Sequence, residues 1–324
     1  MVNILVVGGA GYIGSHTCLD LASKGFTPIV YDNLSRGHAE FVQWGPLEEG
    51  SLADGARLDA VFEKYQPAAI VHFAALIEVG ESTKDPLAFF DNNVAGTISL
   101  LQAAGRAGCD KLVFSSTCAT YGDPVSVPMD ETHRQAPLNP YGHSKLMVEL
   151  MLRDLTAHRG LNAVTLRYFN AAGADPEGRI GERHEPETHA IPLAIEAALG
   201  RRADFKIFGT DYDTRDGTCI RDFIHVMDLA DAHSRAVRYL IDGGKSTALN
   251  LGTGHGTTVR ELLGEIGTVA GRPVNAIETG RRPGDAPALV ADNSLARQTL
   301  GWQIRHDLSS IVNTAWRWHA ASNA

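Results

Sequence analysis

The sequence predicts an α/β protein: a doubly wound parallel sheet with a smaller, helix-rich C-terminal domain. Three observations carry this. Short β-branched apolar runs alternate with helical stretches, as strands do when helices cover both faces of their sheet. The first run, Val2-Asn3-Ile4-Leu5-Val6-Val7, enters Gly8-Gly9-Ala10-Gly11-Tyr12-Ile13-Gly14, and an amphipathic stretch over Ser15–Ser23 follows. The second run, Pro28-Ile29-Val30-Tyr31, ends in Asp32, about twenty residues on, where a dinucleotide-binding unit carries its acid.

The glycine turn comes first. Gly8, Gly11 and Gly14 form G-x-x-G-x-x-G between a strand and a helix. One glycine can take positive φ, a second lets a pyrophosphate approach the backbone, and a third lets helix and strand pack closely. The helix N-terminus offers free N–H groups and positive dipole to phosphates. An acid at position 32 accepts from ribose hydroxyls and repels a 2′-phosphate, so NAD is expected over NADP. Arg36, four residues on, is the one feature pulling the other way.

Further along, Leu58–Tyr65 reads as a helix and Ala68–Phe73 as a buried strand entering Ala74-Ala75. Phe89–Arg106 has helical periodicity, Lys111–Ser116 is the next strand, Tyr141–His158 a long helix, and Ala163–Phe169 the strand after it. Such a βαβ series implies right-handed crossovers with ligands at the carboxyl ends of the strands. The character changes after Asn170. Residues 171–190 are aperiodic and rich in Gly, Pro, Glu and His, which reads as a loop near a site. Helices over Ile191–Leu199, Val226–Ile241, Thr258–Ala270, Ser294–Leu300 and Leu308–Trp318, with a strand at Ala248–Leu251, complete the chain. The division expected is a dinucleotide-binding domain over 1–169, with return segments near 221–252, and a substrate-binding domain over 170–324.

Composition bounds the function. With 324 residues and 44% hydrophobic content the chain can form one large domain or two joined ones. A net charge of −9 argues against a nucleic-acid binder. Cys18, Cys109, Cys118 and Cys219 show no C-x-x-C and no Cys/His metal spacing, so no metal is expected and reduced thiols are. A first strand beginning at Val2 leaves no room for a leader, and no apolar run approaches the ~20 residues of a membrane span. A cytoplasmic protein without membrane or nucleic-acid partners is expected.

Tyr141-Gly142-His143-Ser144-Lys145 opens a helix with Tyr and Lys one turn apart on one face. A phenol of pKa ~10 is a poor base at neutral pH. A neighbouring ammonium stabilises the phenolate, which can then take a proton from a sugar hydroxyl. Tyr–Lys pairs also occur on ordinary helix surfaces; the preceding dinucleotide unit favours the catalytic reading. The run from Ser115 to Gly122 sits at the carboxyl end of a strand, where Thr117 can bridge Tyr141 and a substrate oxygen. Arg221 and the Arg281-Arg282-Pro283-Gly284-Asp285 stretch place cations in an acidic chain, and arginine forks suit a diphosphate. Arg281 reads as a solvated surface charge. His184, His189 and His225 read as loop or packing residues rather than bases.

With these motifs the chain resembles the extended short-chain dehydrogenase/reductases, which share a Rossmann sheet. His72-Phe73-Ala74-Ala75, Val79-Gly80-Glu81-Ser82, Asp91-Asn92-Asn93, Arg167-Tyr168-Phe169-Asn170 and Arg221–Val226 narrow the resemblance to the family's UDP-hexose epimerases, over essentially the whole chain. The resemblance implies tightly held NAD, interconversion of UDP-galactose and UDP-glucose through a 4-keto sugar, and a homodimer paired through the helices Phe89–Arg106 and Tyr141–His158. Catalysis falls to Thr117, Tyr141 and Lys145. Around NAD it gathers Gly8, Gly11, Tyr12, Ile13, Gly14, Asp32, Asn33, Phe73, Ala74, Ala75, Asn92, Ser115 and Tyr168, with Tyr141 and Lys145. Around the sugar nucleotide it gathers Thr117, Asn170, Arg221, Arg282, Asp285 and Leu289. Thr117 stands where some members carry Ser, Ile77 where some carry a Lys, and Gly50-Ser51-Leu52 where Gly-Asp-hydrophobic is usual. Sister 4,6-dehydratases and decarboxylases would carry acids at Cys118 or Ala119. Exchange of UDP-xylose with UDP-arabinose, or of the N-acetylated hexose pair, uses the same C4 chemistry and stays open, as does a non-catalytic nucleotide sensor.

Overall fold

The computed structural model describes residues 2–282 and 284–321; Met1 and Pro283, within stretches singled out above, lie outside them. The chain forms β1 (Val2–Val7), α1 (Tyr12–Ser23), β2 (Phe26–Asp32), β3 (Leu47–Glu49), α2 (Gly55–Tyr65), β4 (Ala69–His72), α3 (Val79–Lys84), α4 (Pro86–Phe90), a π-helical turn (Asp91–Ala95) and α5 (Gly96–Ala107). Then come β5 (Lys111–Thr117), α6 (Pro140–Arg159), β6 (Asn162–Tyr168), β7 (Asn170–Ala172), α7 (Ala190–Leu199), β8 (Phe205–Phe208), β9 (Ile220–Arg221), β10 (Phe223–His225) and α8 (Val226–Ile241). β11 (Thr247–Leu251), β12 (Thr257–Thr258), α9 (Val259–Ala270), β13 (Ala276–Thr279), β14 (Ala288–Leu289), α10 (Ser294–Leu300) and α11 (Leu308–Ala321) follow.

Seven parallel strands make the main sheet in the order β11-β6-β5-β4-β1-β2-β3. The order reverses between β1 and β4, which is where an open α/β sheet leaves its ligand crevice. The apolar strand runs have a direct cause. Ile4 and Val6 of β1 enter the core shared with α1 and α8, while Leu5 and Val7 enter the core shared with α2, α5 and α6. The central strands β1, β2, β4 and β5 bury both faces, so period-2 alternation is absent from them. A third core joins α7, α9 and α11 around Ile195, Leu262 and Val312. Three small sheets, β10-β7, β12-β9-β14 and β13-β8, lie outside the main one.

Most expected elements are present, with informative differences. Helix α1 starts at Tyr12, three residues early, because Gly11 already serves as its N-cap. The Phe89–Arg106 stretch is not one regular helix: α4 and α5 are joined by the π turn at Asp91–Ala95. Strands β3, β7, β8, β9, β10, β12, β13 and β14 were not expected; each is four residues or fewer, too short for periodicity to register.

Candidate active site

The glycine turn builds one wall. Gly8 has φ +81°, and a Cβ on it would lie 2.5 Å from the Ala74 nitrogen, so the chain ends leaving β1 and β4 touch there. A Cβ on Gly14 would fall 2.2 Å from the Gly8 carbonyl oxygen, which makes it the close-packing glycine. Gly11 differs: its Cβ would meet only that oxygen at 3.4 Å, an ordinary contact. The fold does not demand glycine at 11, so the role of admitting a phosphate is left to it. Gly11 offers α1 no side-chain cap, so the first-turn N–H groups of Tyr12, Ile13 and Gly14 keep the orphan donors of a helix start. Those donors and this cradle fit a dinucleotide's pyrophosphate.

Asp32 faces the same turn. It accepts from Ala10 N–H at 3.0 Å and Leu34 N–H at 2.9 Å. Burial raises its pKa, and those two backbone donors oppose the rise. Asn33 beside it accepts from the backbone and hydroxyl of Ser35. Arg36 is drawn away to the Glu185 carbonyl at 2.7 Å and to Glu78 at 3.5 Å. Phe73 and Ala74 both donate backbone N–H to Val7 O, Ala75 continues the turn, and the Phe73 ring lies 4.7 Å from the buried His233.

The second wall is α6. Asn139 caps it by accepting from Gly142 N–H at 2.9 Å, and Pro140 at its first position fixes the start. Tyr141 therefore sits in the first turn, facing the end of β5. Its phenol is buried, and burial pushes its pKa well up; Tyr168 adds to the rise, and a hydrogen bond with Thr117 works against it. Lys145, one turn on, is buried and donates to the Ser115 carbonyl at 2.8 Å. Burial lowers its pKa to about 7, with Glu149 opposing. On the protein's own groups Tyr141 thus moves opposite to the direction expected from Lys145. The Ser115 hydroxyl pairs with the Tyr168 phenol, whose pKa burial pushes up to about 12. Thr117 also accepts from Ala119 N–H at 3.1 Å. Cys118, next in line, is a neutral thiol, pushed up to about 12 by burial.

The third wall comes from later in the chain. Asn170 opens β7 and pairs with Phe223. Arg221 donates to the carbonyls of Ile220 and Ala286 and lies 3.5 Å from Asp285. Arg282 grips Asp285 with two bonds of 3.1 and 2.9 Å and rests over the Phe208 ring. Leu289 of β14 is in register with Arg221 and packs against the small core of Tyr121, Met129, Phe169 and Ala291. Arg281 pairs with Asp211 at the surface and stacks on Tyr212. His225 is buried against Thr314 and stacked on His306, a packing residue.

Three residues that position this site went unread in the sequence. Asn93, in the π turn, donates to Leu76 O and Ser144 Oγ and accepts from Leu76 N–H, joining the β4 loop to α6. Asn92 beside it donates to Asn93. Glu149 forms a buried pair with Arg167 at 2.6 Å and accepts from Gln135 and Ser116, locking α6 onto β5 and β6. Asp222 accepts from Thr253 N–H and O–H, Gly254 N–H and Ala291 N–H, holding the β9 region against the segment after β14. Asn93 and Asp222 carried one sequence signal, their place in the motifs Asp91-Asn92-Asn93 and Arg221-Asp222, and Glu149 carried none.

A dinucleotide cradle at the switch point of a doubly wound sheet, beside a buried Thr–Tyr–Lys set, defines a nucleotide-dependent redox enzyme. The chain belongs to the NAD dependent epimerase/dehydratase family, whose model matches residues 4–252. The UDP-glucose 4-epimerase of Rhizobium meliloti (strain 1021) is 67% identical over 321 residues, covering 99% of this chain and 98% of that protein. Among solved structures, UDP-glucose 4-epimerase from Brucella ovis in complex with NAD superposes with TM-score 0.96 at 52% identity, covering 98% of both chains. The UDP-Glc/GlcNAc 4-epimerase of Campylobacter jejuni superposes with TM-score 0.87 at 41% identity, covering 99% of both. The four cysteines are unpaired, and among the described residues no helix is long and apolar enough to cross a membrane.

Proposed function

We propose that this protein is an NAD-dependent 4-epimerase that interconverts UDP-galactose and UDP-glucose. The observation that carries the reading is the Thr117–Tyr141 hydroxyl pair at the carboxyl end of β5, with Lys145 one turn behind and the glycine turn beside it. NAD, when bound, supplies the acceptor and donor for hydride at sugar C4. Tyr141 takes the O4 proton as base and returns it as acid, and Thr117 holds O4 in line between them. Lys145, anchored on the Ser115 carbonyl, keeps positive charge near the phenolate once the site is loaded. Gly8, Gly11, Tyr12, Ile13 and Gly14 hold the pyrophosphate, Asp32 and Asn33 the adenosine ribose, and Phe73, Ala74, Ala75, Asn92, Ser115 and Tyr168 the rest of the cofactor. Arg221 and Arg282 hold the diphosphate, Asp285 the uridine ribose, and Asn170 and Leu289 the sugar side. The segment from 170 onward supplies these substrate contacts as a second domain.

Cys118 and Ala119 supply no carboxyl group where a dehydratase needs one, so oxidation is followed by re-reduction rather than loss of water. Turnover is expected on a panel of UDP-sugars, the UDP-glucose/UDP-galactose pair fastest, with products resolved by chromatography. Tyr141→Phe should still carry NAD, assayed in the supernatant after denaturation, yet lose most turnover. Near-normal kcat in that variant would remove Tyr141 from the base role. A wild-type protein that binds UDP-sugars and turns none over would be the sensor.

The protein is further read as a cytoplasmic homodimer. Exposed apolar side chains, Leu87 on α4, Ile98 on α5 and Met147 and Leu150 on α6, lie on neighbouring helices and support pairing through that face.

A further inference from the structure

We propose that Glu182, His184, Glu187 and His189 form a structural site for one divalent zinc-type cation. These residues lie in the aperiodic segment between β7 and α7, and each offers one donor atom, all within 4.8 Å of one another. Cys/His spacing does not detect this set, because the ligands are carboxylates and imidazoles in the run Glu182–His189.

The spacing is that of a coordination sphere. His189 Nδ1 lies 3.0 Å from Glu182 Oε1 and 2.9 Å from Glu187 Oε1. His184 Nδ1 lies 3.3 Å from Glu182 Oε1 and 3.7 Å from Glu187 Oε2. Ligands at ~2.0–2.1 Å around a tetrahedral zinc stand ~3.3 Å apart, close to these imidazole–carboxylate separations. A second observation singles out the same centre. His184 Nδ1 is shielded from solvent and faces both carboxylates at ion-pair distance without completing a hydrogen bond to either. The chemistry agrees: two carboxylates match the charge of one divalent ion, and mixed imidazole and carboxylate donors suit zinc and its first-row neighbours. The ligands are held from behind. Glu187 Oε1 accepts the backbone N–H groups of Thr188 and His189, and the Glu182 carbonyl accepts from Trp318 Nε1.

Four protein ligands close the sphere, which makes the site structural rather than catalytic. Its place gives it a task. The same segment reaches the loop after β2 through Arg36 to Glu185 O and His38 to Arg183 O, and the His184 ring stands edge-on to Tyr12 at 6.3 Å. A cation here would stiffen a strap laid across the glycine turn and that loop.

The test needs no substrate. Untagged protein, purified without chelators, is analysed for zinc by plasma mass spectrometry. It is then stripped with a soluble chelator and titrated with zinc chloride or cobalt(II) chloride. The expected result is one zinc per chain, a rise in Tm when zinc returns to the stripped protein, and visible absorption from tetrahedral cobalt. His184→Gln and Glu187→Gln should each lose the bound metal and the cobalt bands. Wild-type protein that takes up no zinc and shows no Tm change overturns the proposal, as does equal uptake by the wild type and both variants. The stripped wild type carries the test even if a variant fails to fold.

Discussion

At the scale of single residues, the three glycines of the first turn separate packing from binding. Gly14→Ala drives a Cβ into the Gly8 carbonyl and Gly9 Cα, so α1 must shift from the turn. Overpacking of this kind costs ~1–3 kcal/mol, so Gly14→Ala should lower Tm and lose NAD together. Gly11→Ala meets only an ordinary contact; it should keep its Tm in the cofactor-free form and still lose NAD, as assayed after denaturation. Lys145 makes a pH prediction. Its pKa is lowered in the fold to about 7, so between that pH and ~10 the unfolded chain binds the proton and the folded one does not. Stability of the cofactor-free protein should therefore rise with pH across that window. Lys145→Met should flatten the rise in urea-unfolding midpoints; an unchanged slope would mean the group is not the one titrating. Leu289, packed against the Tyr121 cluster and in register with Arg221, is the residue proposed to meet the sugar's C2 substituent. An acetamido group pressing on it costs ~1–3 kcal/mol, roughly 5- to 150-fold in kcat/KM. Leu289→Cys should raise activity on the N-acetylated pair and Leu289→Tyr should abolish it, with the hydroxyl sugars little changed. Equal shifts for both classes would make Leu289 a packing residue.

At the scale of elements, α6 shows what a sequence can and cannot disclose. Its Tyr141 and Lys145 were legible because both lie on one helix, one turn apart, and the signal is local. What holds the helix was not. Glu149 meets Arg167 on β6 and Ser116 on β5, and Asn93 meets Leu76 and Ser144; in each case the partners come from separate elements. Hydrogen-bonded groups brought together only by the fold leave no periodic trace along the chain. The same holds for Asp222, which accepts from a backbone N–H as far along the chain as Ala291, and for strands β9, β12 and β14, which are two residues each. The glycine turn, Asp32 and the strand runs were readable for the opposite reason: a parallel strand buried on both faces and a βα turn impose their pattern on neighbouring residues. The buried pair supplies a prediction at this scale. Arg167→Met leaves Glu149 charged and buried without its partner, which costs ~3–5 kcal/mol. Urea unfolding should register that loss, and the fall in kcat should exceed any rise in KM, because α6 carries the proposed base.

At the scale of the whole molecule, the exposed apolar residues of α4, α5 and α6 are expected to disappear between two copies of the chain. Light scattering at micromolar concentration should give twice the chain mass. Leu150→Glu removes ~2 kcal/mol of apolar burial per copy and weakens association by roughly thirtyfold or more; a monomer in the wild type would reject the arrangement. The strand order carries another consequence. The seventh strand of the main sheet, β11, lies almost eighty residues beyond its neighbour β6 in the chain, and α8, which covers α1, falls between them. A ribosome adding ~5–20 residues per second needs several seconds to cross that gap. Throughout it, the nascent N-terminal half emerges with one sheet edge open to stray pairing and one layer of its core uncovered. Timing of synthesis, and whatever shelters the emerging chain, therefore bears on the yield of this protein as directly as the stability of the finished fold.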